Sequence, residues 1–359
     1  MRIKRQANFE LLRIVAMMMI IVLHYLNKGD LLLPYTLEHS AVNYGAHLIE
    51  AFCIVAVNCY VLLSGYFLVE SVWKPGRVVS LAAQILFYSV LIPVVLICTG
   101  VVTAGEVSIY NWLTYVLPVE TEHYWFATAY LIMYVLSPVL AAGVKAVEKR
   151  TLQISIVFLL CFFCLWKSML PAKLATDRYG YEYGWFLCLF LIAAYLRLYG
   201  CPGLEKKRNA ALLYVGMSLG IFFLTIISGV LARTYAPFDY YMDMPETYNH
   251  ILCLLGSVGL FMIFKDMKPW EGKAAEAIRR LAPYTFGVYL LHEHELMRYE
   301  WMQWLHVDAV NGSWKFVPHM IGCVAVVYAA GTIIDLVRAW GFGKVQEAVG
   351  SRKARENKD

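Results

Sequence analysis

Charge is scarce in this chain. Of 359 residues, 16% are Asp, Glu, Lys or Arg, while 60% are hydrophobic. A soluble domain is nearer about 25% charged and about 45–50% apolar, so this composition excludes an ordinary water-soluble enzyme. Mean hydropathy is +0.58. There is no internal repeat and no polar, Pro/Gly-rich stretch that would join a soluble domain to the rest. Metal spacing is also missing. The nine cysteines are scattered, most of them within apolar runs. The Cys161/Cys164 pair lies inside a lipid-length helix with no second pair, so zinc binding is not expected and small apolar filler is. His292 and His294 are two apart and point about 200° away from each other on a helix. They cannot form the i, i+4 pair of an HExxH site, and no metal is expected there. No basic helix with interleaved aromatics points to nucleic acid.

Long apolar runs take the place of these features. A membrane span needs about 20 apolar residues, and about ten runs qualify, near 9–27, 44–69, 79–103, 123–142, 152–169, 184–200, 210–231, 249–265, 283–304 and 316–338. The fold class expected is an all-α integral membrane bundle of about ten transmembrane helices. Residues 1–340 are read as one membrane domain and 341–359 as a short charged cytoplasmic tail. The first run is read as a retained span, because no small-residue cleavage site follows it. With the N-terminus inside, 23 Lys and Arg fall in inner segments and 7 in outer ones. That asymmetry places both termini in the cytoplasm. The outer segments are aromatic and acidic instead, as at Tyr179 to Tyr183 and Phe238 to Asp243. Tyr and Trp commonly anchor the interface, and aromatic-acidic surfaces also bind sugars.

Against this apolar background two residues stand out in the first run, FELLRIVAMMMIIVLHY. Arg13 and His24 are eleven positions apart, which is three turns plus about 20°. Both therefore project from one helix face, about 16–17 Å apart along the axis. An ionisable residue at the centre of a membrane helix costs roughly 2.5–3.5 kcal/mol on insertion scales and normally faces a cavity or a partner. The guanidinium of Arg13 is a planar fork suited to phosphate, and Lys74 and Arg77 in the turn VWKPGR are placed to add to such a site. Glu10, one turn earlier, offers Arg13 a purely structural partner. A neutral imidazole at His24 is able to take a proton from an attacking hydroxyl. Asn58, Ser64 and Gly65 supply polar contact and close helix approach in the second span. His123 and Trp125 open the fourth, and His292 in the ninth is placed to face the interior. Asp335 with Arg338 reads as a structural ion pair.

These residues carry a resemblance. The chain is similar to the acyltransferase 3 family, bacterial multi-spanning O-acyltransferases of surface polysaccharides and related acceptors. An arginine, ten residues and a histidine in the first span is that family's hallmark, here Arg13 to His24. SGYF (Ser64 to Phe67) with the basic turn to Arg77, YWFATAYLIMYVLSP, and TFGVYLLH (Thr285 to His292) match in order. The glutamate-rich "WSLSVEEQFY" pattern of one subgroup is absent, as is a fused hydrolase-like domain. The chain instead resembles the smaller subgroup that includes enterobacterial common antigen O-acetyltransferases. The resemblance implies a bacterial inner-membrane enzyme. It would move an acyl group, usually acetyl, from cytosolic acyl-coenzyme A to a hydroxyl of a cell-surface glycan or lipid-linked sugar. His24 would be the catalytic base or a transient acyl carrier, and Arg13 would help hold the donor. The residues alone leave a second reading open, a transporter using Arg13 and His24 as an intramembrane pathway. The lack of inverted repeats and of matching broken helices speaks against it.

Overall fold

The computed structural model describes residues 5–33, 40–170, 177–235 and 238–356. Arg2, Lys4, Lys173 and Lys358, counted above for orientation, lie outside them. The described residues are helices and connecting turns, with no strand among them. Eight helices among these residues are long and apolar enough to cross a membrane, and the protein is an all-α integral membrane protein.

Helix α1 spans Ala7–Lys28 and ends where Gly29 closes back on the Tyr25 carbonyl. Its buried face includes Leu12, Met17, Ile20, Ile21 and Leu23, so the helix is wrapped by neighbours rather than by lipid. The second span is built from α2 (Ala41–Cys53) and α3 (Ala56–Leu68), which meet at a one-turn break. Then come α4 (Pro75–Cys98), α5 (Ile109–Val116), α6 (Trp125–Ala146), α7 (Lys149–Leu160), α8 (Trp166–Met169) and α9 (Tyr183–Tyr199). Proline starts α4, where its missing N–H costs nothing. α9 stops at Gly200, whose φ of 68° suits glycine. The chain continues through α10 (Lys207–Ala232), α11 (Asp239–Asp243), α12 (Ile251–Lys265), α13 (Lys273–Leu281), α14 (Thr285–His292), α15 (Glu300–Trp304) and α16 (Phe316–Glu356). α16 runs as one helix through most of the segment expected to be a tail.

Two differences from the expected spans have a physical cause. α9 has 17 residues, short for a span by length alone. The ninth expected span, 283–304, is not one helix. α14 ends at His292, and residues 293–299 turn before α15 begins. The sequence there is HEHELMRYE, too polar to lie against lipid. Glu293, Glu295 and Arg298 instead find partners by leaving the helical path. Glu293 pairs with Lys28, Glu295 accepts from the Tyr115 hydroxyl at 2.6 Å, and Arg298 donates to the Glu293 carbonyl at 3.2 Å.

Packing fixes the helices that surround α1. Gly65 of α3 lets α9 approach, since a Cβ there would lie 2.9 Å from that of Ala193. Gly287 of α14 is tighter still, because an added Cβ would sit 2.2 Å from the Asp335 carboxyl carbon. Asp335, on α16, is fully buried. It accepts from Arg338 Nε at 2.6 Å, from the Tyr88 hydroxyl at 2.9 Å and from Gln84 Nε2 at 3.0 Å. The expected ion pair is thus the centre of a network that ties α4 to α16.

Candidate active site

Two cavities flank the middle of α1. The first lies toward its N-terminal end and has a volume of about 190 Å³. Arg5, Arg13, Arg77, Ser64, Gln84 and Tyr130 are among its lining residues. Three guanidinium groups from two helices and the segment before α1 therefore share one space. Arg13 is only loosely held. Its Nη1 lies 3.5 Å from Glu10 Oε2, which is also 3.7 Å from Arg5 Nη1. That oxygen is buried with no hydrogen bond among the described residues. The pairing that Glu10 offered exists, but it does not fill the arginine fork. Arg77 stacks over the Tyr134 ring at 5.5 Å, which steadies its plane while leaving its N–H donors to the cavity.

The second cavity is narrow, with a volume of only about 20 Å³, and holds His24. Its walls are apolar and aromatic, with Met17, Ile20, Trp125, Phe126, Tyr248 and Tyr289 among them. Tyr60, Phe126 and Phe286 line both cavities. A wall one side chain thick therefore separates the arginine cavity from the histidine. The Tyr60 hydroxyl is held by Thr285 Oγ1, so that wall is fixed between α3 and α14.

The hydrogen bonds behind His24 assign its tautomer. His292 Nδ1 lies 2.6 Å from the Val288 carbonyl. A carbonyl can only accept, so Nδ1 carries the proton of neutral His292 and Nε2 carries the lone pair. His24 Nδ1 is 2.9 Å from that Nε2 and 3.2 Å from Glu293 Oε2. It donates to these acceptors. His24 Nε2 is left with its lone pair, and no group among the described residues hydrogen-bonds it. Glu293 is held in turn by Lys28, with Arg298 3.8 Å away. A base whose far nitrogen is oriented by a fixed partner is the arrangement that general-base catalysis needs.

Arg13, Arg77 and Ser64 meet at the first cavity. His24 and Trp125 meet at the second, with His292 directly behind His24. Two candidates fall outside. Asn58 is fully buried, donating to the Tyr248 carbonyl at 2.7 Å and accepting from Trp185 Nε1 at 3.0 Å. Its side chain joins α3, α9 and α12 and lines neither cavity. Lys74 precedes α4 on the exposed turn and does not line the arginine cavity. Ser64 spends its hydroxyl proton on the Tyr60 carbonyl at 3.0 Å.

Some contributors were not picked out from the sequence. Lys28 is four residues after His24 and so shares its face; that spacing was visible. Glu293 follows His292 directly, but nothing local said that it would turn inward. Tyr60 is an aromatic residue in an apolar run and carries no local mark, and Phe126 and Tyr130 entered only as part of the motif YWFATAYLIMYVLSP. His123 packs beside His294 at 4.7 Å between ring centroids, in a separate cluster with Tyr115 and Tyr124.

A family model described as an acyltransferase domain matches residues 6–335. No curated protein matches the chain, and no solved structure does.

Proposed function

Because the chain belongs to the acyltransferase 3 family and is a membrane acyltransferase, we propose that it moves an acyl group, acetyl first among them, from cytosolic acyl-coenzyme A to a hydroxyl of a cell-surface glycan or lipid-linked sugar. The setting is a bacterial inner membrane, with residues 1–340 as the membrane domain, 341–359 as a cytoplasmic tail and both termini in the cytoplasm. The observation that carries this reading is the free Nε2 of His24, one aromatic wall away from a cavity lined by three arginines.

In this reading the donor's phosphates rest on Arg13, Arg77 and Arg5. Charge-assisted bonds from planar guanidinium groups suit phosphate oxygens. The thioester arm passes Tyr60 and Phe126 toward His24. His24 Nε2 takes the proton of the acceptor hydroxyl as its oxygen attacks the thioester carbon. The carbon–sulfur bond breaks, and the proton passes to the departing thiolate. His292 and Glu293 hold the ring through Nδ1–H. The thioester is already activated, so positioning and a base account for the acceleration.

The test is mass spectrometry of the surface glycans of cells that carry the wild-type chain or His24→Ala. Loss of acetyl esters with glycan export intact supports the enzyme. Unchanged acetylation with export lost would point to transport instead.

A further inference from the structure

A third cavity lies at the opposite end of the bundle from the arginines, with a volume of about 440 Å³. Tyr179, Tyr181, Tyr240, Tyr248, Asp243 and Glu246 line most of it, and no basic residue does. Tyr248 also lines the His24 cavity. It stacks on Trp125 at 5.7 Å, and Tyr181 lies 4.4 Å from Trp125 and 5.0 Å from Tyr248. Three aromatic rings thus separate the third cavity from the histidine. The three cavities stand in series, with His24 in the middle one.

The charged residues that line this third cavity, Asp243 and Glu246, are both acidic. Asp243 is exposed in it and makes no hydrogen bond or ion pair among the described residues, with His47 as its charged neighbour. Glu246 is paired with His47, whose Nδ1 donates to it at 3.2 Å while Nε2 donates to the Leu33 carbonyl at 3.2 Å. Arg178, next to Tyr179, is paired with Glu122 at 2.7 Å, and Lys167, 4.3 Å from the Tyr179 ring, is buried and committed to Asp177 at 2.8 Å. The lysine braces the wall and offers no charge to a ligand. Tyrosine faces suit the C–H faces of a sugar ring, and carboxylates accept from its hydroxyls. An anionic ring would meet the unpaired carboxylate of Asp243.

Resting on the acyl-transfer reading above, we propose that this third cavity is the acceptor subsite, and that Asp243, with Glu246, makes it take uncharged or amine-bearing sugar rings and turn away carboxylate-bearing ones. Two unit charges about 4 Å apart in a largely water-filled space give roughly five- to tenfold discrimination. The acceptor reaches His24 from the side opposite the donor.

The experiment uses the full chain in lipid nanodiscs, open on both sides, with radiolabelled acetyl-coenzyme A. Three acceptors of one ring shape are compared: methyl glucoside, its 2-amino counterpart and methyl glucuronide. Both ester formation and release of free coenzyme A are read. The expected result is roughly five- to tenfold better transfer to the uncharged and amine-bearing rings than to the glucuronide. Asp243→Asn narrows that ratio to about threefold or less. Salt at about 0.5 M narrows it in the unsubstituted protein, since screening shortens the reach of an exposed charge. Equal use of all three rings overturns the proposal, as does a ratio that neither the substitution nor salt moves. His24-dependent release of coenzyme A with no ester on any ring also overturns it and leaves the donor half standing. No release with any ring overturns the acyl-transfer reading itself.

Discussion

Arg13 and Arg338 are both arginines inside the bundle, each with a carboxylate three residues earlier on its own helix. Their surroundings differ completely. Arg338 donates to both oxygens of Asp335, at 2.6 and 3.2 Å, and Asp335 also takes Tyr88 and Gln84. Arg13 lies 3.5 Å from a single oxygen of Glu10 and otherwise faces a cavity. One guanidinium is filled and the other is open. The same contrast separates two histidines. His294 has both nitrogens engaged, Nε2 with the Ser89 carbonyl at 3.3 Å and Nδ1 with the Leu296 N–H at 3.2 Å. His24 has one nitrogen engaged and one free beside a cavity. A buried polar group with every bond satisfied holds structure together; one with capacity left over is available to a ligand.

The largest expected effect tests the histidines. His24→Ala lowers acetyl transfer by about 10²–10⁴-fold, the usual share of a general base, with thermal unfolding in detergent little changed. His294→Ala moves the unfolding midpoint down instead, and transfer per folded molecule stays near wild type. If the two substitutions behave alike, the distinction between satisfied and open groups fails. Next come the arginines. Arg338→Ala strands the buried Asp335 carboxylate and costs about 3–5 kcal/mol of stability, read by thermal or denaturant unfolding. Arg13→Lys keeps the charge but loses the fork. It raises the KM for acetyl-coenzyme A by about tenfold with stability within about 1 kcal/mol.

The smallest effect concerns an arginine that is neither filled nor open but exposed. Arg178 pairs with Glu122 at 2.7 Å on the surface, both side chains being roughly half exposed. The hydrogen bond from Arg178 holds the Glu122 carboxyl below its ordinary value. A depressed carboxyl pKa contributes stability above the unfolded-state value, and that contribution is lost as pH falls through the folded one. Solvent screening limits it to about 0–1 kcal/mol. Comparing wild type with Glu122→Gln, the difference in unfolding midpoint is expected to shrink as pH drops below about 4.5. A difference that grows under acid would contradict the pairing.

Much of the protein was legible in its sequence. The apolar runs predicted spans, and the described residues contain eight long ones together with the shorter α9. The ninth run misled because its apolar start, TFGVYLLH, leads into a charged stretch that only partners on other segments could satisfy. In the site, Arg13 and His24 were evident because an ionisable group in an apolar run is conspicuous without any neighbour in view. Asn58 was conspicuous for the same reason, yet its amide is consumed by the Tyr248 carbonyl and Trp185. Lys74 carried the right charge in the right turn but lies outside the cavity. Polarity marks a residue locally, whereas spare bonding capacity depends on what packs around it.

The sequence by itself determined that the protein lives in a bilayer and that a guanidinium and an imidazole share one stripe of its first helix. Those facts follow from composition and from the 3.6-residue period, which are local. The tertiary structure decided which nitrogen of His24 is free, because its partner His292 is 268 residues away. It also decided that Tyr60 and Phe126 stand between the arginines and the histidine, and that Tyr248 closes the histidine cavity on its other side. Contacts between segments so far apart depend on how whole helices pack, and that packing follows from shape and burial summed over the bundle.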